Sequence, residues 1–258
     1  MLEDFMSFLK QNYSETVTNL SKTGGMTNNC EDIPGNIFIE DDTQMIDMDK
    51  VACNFDRMHR QSTVDGLFVK DKKGENGEPE THFYLVEFKK MDLNNPVRIS
   101  NSLYALKYAR SCYYEKNTFV DTYDKCEGHL EDHTQVTLRV KPVSTLMLLH
   151  KAYANYKAFI ESGDDGDFDI GKRYADDYIE DAETSKAFSK IKYHYMVIYN
   201  IKPDDIYKTN ISNDQFMNIN IFGFLNKLKP YPFVTADSYD DIDFKRKVLD
   251  AMKRNSIK

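Results

Sequence analysis

Two short stretches carry residue types suited to phosphate chemistry. Val64-Asp65-Gly66-Leu67-Phe68-Val69 holds one carboxylate, and Phe83-Tyr84-Leu85-Val86-Glu87-Phe88-Lys89-Lys90 holds a second, two residues before a lysine. Carboxylates are hard oxygen ligands suited to Mg2+ or Mn2+, ions that keep several waters and take one or two protein carboxylates beside substrate phosphate oxygens. An ion held by Asp65 and Glu87 would lower the pKa of a bound water, orient it in line with a phosphodiester and neutralise charge developing on the phosphate. Lys89 would position or deprotonate that water, or stabilise the pentacovalent phosphorus.

These residues need a scaffold that brings them together. Both stretches are rich in valine, phenylalanine, tyrosine and leucine, which suit a pleated surface, and Gly74, Asn76, Gly77 and Pro79 lie between them. The pattern predicts a β-hairpin. Alternation puts Asp65 on a face with Leu67 and Val69, and Glu87 and Lys89 on a face with Phe83 and Leu85. A two-residue turn at Asn76-Gly77 would set Asp65 opposite Phe88, so joint use of both carboxylates requires a longer loop or a bulge. Glu87 interrupts an apolar run and is costly to bury alone, so a metal or a cation is its expected partner. The plain alternative is a solvated strand end, where a cross-strand Asp and Lys pair contributes only a few tenths of a kcal/mol.

A helix is expected next, with Asn95 as its cap, Pro96 at the first helical position, and Ile99, Leu103, Leu106, Arg110 and Tyr113 at intervals of three and four. An acid on one strand, Glu87-Phe88-Lys89 on the next and a helix to follow resemble the PD-(D/E)XK nuclease superfamily. The resemblance covers residues 60 to 115, and Val64 stands where the family carries proline. It implies an α/β protein with a restriction-endonuclease-like core, a mixed central sheet flanked by helices, with helical insertions. It also implies metal-dependent hydrolysis of phosphodiester bonds in DNA, with RNA left open, Asp65 and Glu87 as metal ligands and Lys89 as the catalytic lysine. Family members often draw a further acid from a helix ahead of the strands. A helix is expected from Leu2 to Lys22, with Phe5, Leu9, Tyr13 and Val17 on its apolar face. Glu15 within it and Glu40 on a short expected strand, Ile37 to Glu40, both stand as candidates for that acid. A reading from another class is a nuclease-like fold that no longer cleaves and serves as a binding or assembly module, which the acidic composition favours.

The chain has 258 residues, 41% of them hydrophobic, and no Pro- or Ser-rich linker, so one domain is expected over 1–258, with a core over 1–150 and a C-terminal elaboration over 151–258. Further strands are expected at Ser144 to Leu149 and Tyr193 to Tyr199. Helices are expected at Ala152 to Glu161, Lys172 to Lys190 and Tyr239 to Arg254, the last behind a Ser238 cap. A net charge of -8 disfavours a broad nucleic-acid surface, because phosphate binding draws on lysines and arginines. Binding of DNA would rely on a local basic patch: Arg57, His59 and Arg60 before Asp65, with Lys89, Lys90, Arg98, Lys107 and Arg110 after it. No apolar run approaches the ~20 residues that span a bilayer, and the acidic start lacks a signal peptide's basic region, so a cytoplasmic protein without membrane contact is expected. Oligomeric state is not legible.

Other chemistries find less support. Cys126, His129 and His133, with Cys112 as a fourth ligand, have a spacing that zinc accepts, but a second close pair is missing and the polar segment from Asn117 to Thr134 reads as a loop. Cys30, Cys53, Cys112 and Cys126 are too sparse for a disulfide scaffold, and free thiols are expected. Asp165, Asp167 and Asp169 alternate like a calcium loop, yet its glycine is displaced to Gly171 and its twelfth position is Asp176. Tyr108, Tyr113, Tyr114, Tyr153 and Tyr156 mix with lysines in a way that suits base stacking, although core tyrosines are the commoner explanation. Glycine-rich phosphate loops and a Gly-x-Ser-x-Gly elbow are absent.

Overall fold

Apolar residues run almost unbroken through Phe83–Phe88 and Tyr193–Tyr199, and strands of that kind must be covered on both faces. The computed structural model places them at the centre of a six-stranded mixed sheet flanked by helices. It describes residues 1–22, 39–56, 61–74, 76–90, 117–174, 182–200, 225, 228–230, 232–250 and 253. In chain order the elements are α1 (Leu2–Tyr13), β1 (Ser14–Thr16), α2 (Val17–Leu20), β2 (Gln44–Asp47), α3 (Met48–Phe55), β3 (Gly66–Lys73) and β4 (Pro79–Lys90). Then follow α4 (Asn117–Ser162), α5 (Ala182–Ser189), β5 (Lys192–Asn200) and β6 (Phe233–Asp240). A helical turn, Asp241–Asp243, leads into a π-helix, Phe244–Leu249. The sheet order is β1-β2-β3-β4-β5-β6; the first three pairings are antiparallel and the last two parallel.

Strand alternation divides the core in two. On one face Phe83 and Leu85 of β4 and Tyr195 and Val197 of β5 pack with Phe5 and Leu9 of α1, Val51 of α3, and Leu148 and Tyr153 of α4. On the other, Tyr84, Val86 and Phe88 pack with Met196 and Ile198, and Val17, Phe244 and Val248 cover them. The expected hairpin is present, closed by residues 74–78 between Lys73 and Pro79, with Gly74 N donating to Glu78 O and Gly77 at φ 77°, where glycine carries no Cβ penalty. The expected strand at Tyr193 to Tyr199 lies within β5, and the expected helix at Ala152 to Glu161 lies within α4.

Several expected elements fold differently. The helix expected from Leu2 to Lys22 stops at Tyr13, because Ser14, Glu15 and Thr16 pair with Ile46, Met45 and Gln44, and Thr16 then caps α2 by accepting from Asn19 N. Glu40 lies outside any strand, and β2 begins at Gln44. The loop expected at Asn117 to Thr134 and the strand expected at Ser144 to Leu149 are both turns of the 46-residue helix α4, which passes through Pro142. Of the stretch expected to be helical from Lys172 to Lys190, Ala182–Ser189 forms α5, residues 172–174 are not helical, and residues 175–181 lie outside the described residues. Ser238, expected to cap the last helix, is instead inside β6, and helical geometry starts at Asp241. Cys53, expected free, is disulfide-bonded. The helix expected from Asn95 lies outside the described residues. No helix among the described residues is long and apolar enough to cross a membrane.

At the far end of β4 and β5 a polar chain crosses the second face. His82 Nδ1 and His194 Nε2 stand 2.8 Å apart, and His194 Nδ1 is 3.0 Å from Thr235 Oγ1 on β6. The His194 ring stacks on Tyr84 with centroids 4.4 Å apart. Burial, and then the charges of His82 and Lys72, push the His194 pKa down to about 4, so the fold favours the neutral imidazole. A base whose pKa is lowered on folding contributes stability that is complete above its unfolded pKa near 6.5 and is lost as pH falls toward 4. Denaturant unfolding at a series of pH values should therefore show His194→Gln gaining up to about 2 kcal/mol on the wild type between pH 7 and pH 4. Parallel pH curves for the two proteins would exclude this role for the pair.

Candidate active site

Loop length decides whether the two carboxylates meet. Residues 74–78 make the hairpin connection five residues long, which pairs Gly66 with Val86 and Leu67 with Leu85. Asp65, one residue before β3, is thereby carried towards Glu87 rather than opposite Phe88 as a two-residue turn would have it. Its Oδ2 accepts a hydrogen bond from Phe88 N at 2.6 Å, and its carbonyl accepts one from Met48 N at the start of α3. The longer loop that the sequence requires for a joint site is the one observed.

Glu87 lies on the β4 face that carries Phe83 and Leu85, under α4, and is fully buried. Lys141 of α4 reaches it: Nζ is 2.7 Å from Glu87 Oε1 and 4.0 Å from Asp65 Oδ1, so one ammonium serves both carboxylates. Burial alone would lower the Lys141 pKa, but the charges of Asp65 and Glu87 outweigh it and hold the ammonium above its usual range. Breaking such a pair by removing one partner costs about 3–5 kcal/mol, since the other charge stays buried. The hydroxyl of Tyr195, on the neighbouring strand and the same face, is buried and has no hydrogen-bond partner among the described residues. Burial first, and then the charges of Glu87 and Asp65, keep that phenol well above its ordinary pKa.

Helix α4 is held at the strand end by Thr145, one turn beyond Lys141. Thr145 Oγ1 accepts from Val64 N at 3.0 Å and donates to Lys141 O at 2.8 Å, so the residue before Asp65 and the backbone of Lys141 share one hydroxyl. Thr63 Oγ1 bonds Asp49 Oδ1 at 2.9 Å, and Asp49 adds a further negative charge acting on Lys141. Asp47 caps α3 by accepting from Lys50 N, and its burial raises its pKa to about 6.

Of the sequence-derived residues, Asp65 and Glu87 are brought together. Lys89 lies on β4 opposite Tyr199 of β5, and its side chain is outside the described part of the structure. Arg57, His59, Arg60, Arg98, Lys107 and Arg110 also fall outside it, as does the Lys90 side chain. Glu15, on β1 and not in a helix, accepts from Thr16 N and Asn19 Nδ2 and pairs with Lys50. Cys126, His129 and His133 lie on α4 with undescribed side chains, and Cys112 lies outside the described residues. Tyr153 and Tyr156 are core aromatics, in ring contact with Phe5. In the acidic turn Asp164 and Asp169 accept from Gly166 N and Gly171 N. Lys141 and Tyr195 were not singled out from sequence; their only signal was a lysine four residues before a threonine, and a tyrosine in step with Glu87 along a parallel strand.

Among the described residues no group of three or more His, Cys, Asp or Glu side chains is placed to hold a metal ion. Asp65 and Glu87 would supply the one or two protein carboxylates that a hydrated Mg2+ or Mn2+ takes, and the Lys141 ammonium, which is not a metal ligand, stands 2.7 Å from one of them. No protein-family model, curated protein or solved structure matches the chain.

The shared hydroxyl can be tested on its own. Thr145→Val leaves the buried Val64 N–H without its acceptor and should lower stability by about 1–3 kcal/mol, whereas Thr145→Ser should recover most of the loss. Equal stabilities for wild type and Thr145→Val in equilibrium unfolding would show that this bond does not tie α4 to the strand end.

Proposed function

We propose that the protein is a metal-dependent nuclease that hydrolyses phosphodiester bonds of DNA, with Asp65 and Glu87 as metal ligands and Lys89 as the catalytic lysine. The observation that carries this reading is the convergence of Asp65 and Glu87 at one end of β3 and β4 on a single ammonium. The order of elements supports it: two paired strands, β3 and β4, carry the acids at their ends and helical segments follow before β5, in the strand, strand, helix order of a restriction-endonuclease-like core. When bound, Mg2+ or Mn2+ would activate a water and neutralise charge on the phosphate. The chain's own residues do the rest. β4 holds Glu87 beside Val197 of β5, Phe88 N fixes one Asp65 oxygen, and α4 with Tyr195 keeps bulk water from the inner side of the pair. Lys89, two residues beyond Glu87 on the same strand, would meet the attacking water or the phosphate. DNA would be engaged through the local basic patch, since the overall charge of -8 offers no broad one.

A second reading draws on Lys141. A carboxylate pair with an internal ammonium offsetting one of its two charges is also what a fold that no longer cleaves would carry, and such a chain would serve as a binding or assembly module. The two readings separate in one experiment. Purified protein is incubated with single-stranded, double-stranded and branched DNA and with RNA, in Mg2+, in Mn2+ and in chelator, beside Asp65→Asn, Glu87→Gln and Lys89→Ala. The nuclease reading expects metal-dependent cleavage reduced at least 100-fold in each variant. Inert wild type on every substrate would leave the binding module, and cleavage persisting in all three variants would place the chemistry elsewhere.

A further inference from the structure

We propose that Lys141 is a built-in counter-cation that occupies the carboxylate pair until a divalent ion displaces it, so that metal loading is gated by this side chain; this rests on the reading of Asp65 and Glu87 as metal ligands. It approaches one oxygen of each carboxylate, Glu87 Oε1 at 2.7 Å and Asp65 Oδ1 at 4.0 Å, so it occupies the space between the two groups that would hold the ion. A lysine ammonium and a divalent ion at the same oxygens repel one another in a poorly solvated site, so the two compete.

The partners differ in their freedom to move. Glu87 is fixed in a strand bonded on both sides, and Asp65 Oδ2 is tied to Phe88 N. Lys141 carries its charge on a flexible four-carbon stem and keeps 14% of its side-chain surface exposed, which gives it a path outward. Its backbone is held independently, because Thr145 links its carbonyl to Val64 N. Displacement therefore moves the side chain and leaves α4 seated. The gate is electrostatic: one positive charge set against Asp65 and Glu87, with Asp49 contributing a weaker attraction, resists release until an ion of higher charge takes the same oxygens. In the metal-free protein the ammonium keeps the two carboxylates together, which preserves the ligand geometry without an ion.

The test titrates Mn2+ alone onto the full chain by calorimetry, with wild type, Lys141→Met and Lys141→Arg. Methionine keeps the stem and removes the charge, so Lys141→Met should bind Mn2+ at least tenfold more tightly than wild type, and Lys141→Arg no more tightly. The gain should vanish when Glu87→Gln is added. Equal or weaker binding by Lys141→Met overturns the proposal, as does the failure of both wild type and variant to bind Mn2+. Tighter binding together with inert protein in the cleavage assay would sink the nuclease reading and leave the gate standing. If Lys141→Met does not fold, the Lys141 side-chain signals of the isotope-labelled wild type are followed by NMR during Mg2+ titration. A shift that saturates with the ion supports displacement, and signals that stay in place exclude it.

Discussion

A fully buried carboxylate on a central strand is the constraint around which this molecule is arranged. Glu87 interrupts β4 between Val86 and Phe88, pairs with Val197 of β5 and is fully buried under α4. The Coulombic attraction to Lys141 repays part of its desolvation, and that requires α4 to cross the sheet at one height. Thr145 sets that height by bonding Val64 N, and Pro142 is accommodated in the same turn. The position of Asp65, the seating of α4 and the first core cluster are in this sense parts of one solution to one buried charge.

The two faces of the sheet handle polarity differently. Beneath α4 the polar groups are ionic and gathered at the strand ends by Asp65, Glu87 and Lys141. On the opposite face, at the other end of the strands, His82, His194 and Thr235 bridge three strands beside the Tyr84 ring. Between the two groups, Phe83, Leu85, Val86 and Met196 contribute apolar side chains to the two core clusters.

How much of this could be read from residues alone depended on whether the signal was local. The hairpin was legible because two alternating runs flank a glycine-bearing turn, and the parity argument demanded the longer loop that residues 74–78 supply. Helix α4 was not, because Gly128, Pro142 and the run Thr145-Leu146-Met147-Leu148-Leu149 imitate a loop, a breaker and a strand, while packing against α1, α3 and α5 favours a helix. The early helix was overextended for the converse reason: periodicity continues through Val17, but Ser14 to Thr16 are captured as an edge strand by β2. A cation for Glu87 was anticipated, yet its identity was not, since Lys141 is 54 residues away and only tertiary packing brings it close.

The five-residue connection has a consequence for how this chain tolerates insertions and deletions. Along β4 the odd positions face the ionic cluster and the even positions face Met196, Ile198 and Phe244. Losing or gaining one residue between Pro79 and Glu87 would turn the glutamate into the aromatic layer and Phe88 into the place of the charge. A one-residue change at the tip, beyond Lys73 and before Pro79, acts on the same pairing, because the five-residue connection is what sets Gly66 opposite Val86. The hairpin thus behaves as a ruler read from its open end, where its length modulo two matters more than the chemistry of most residues marked along it.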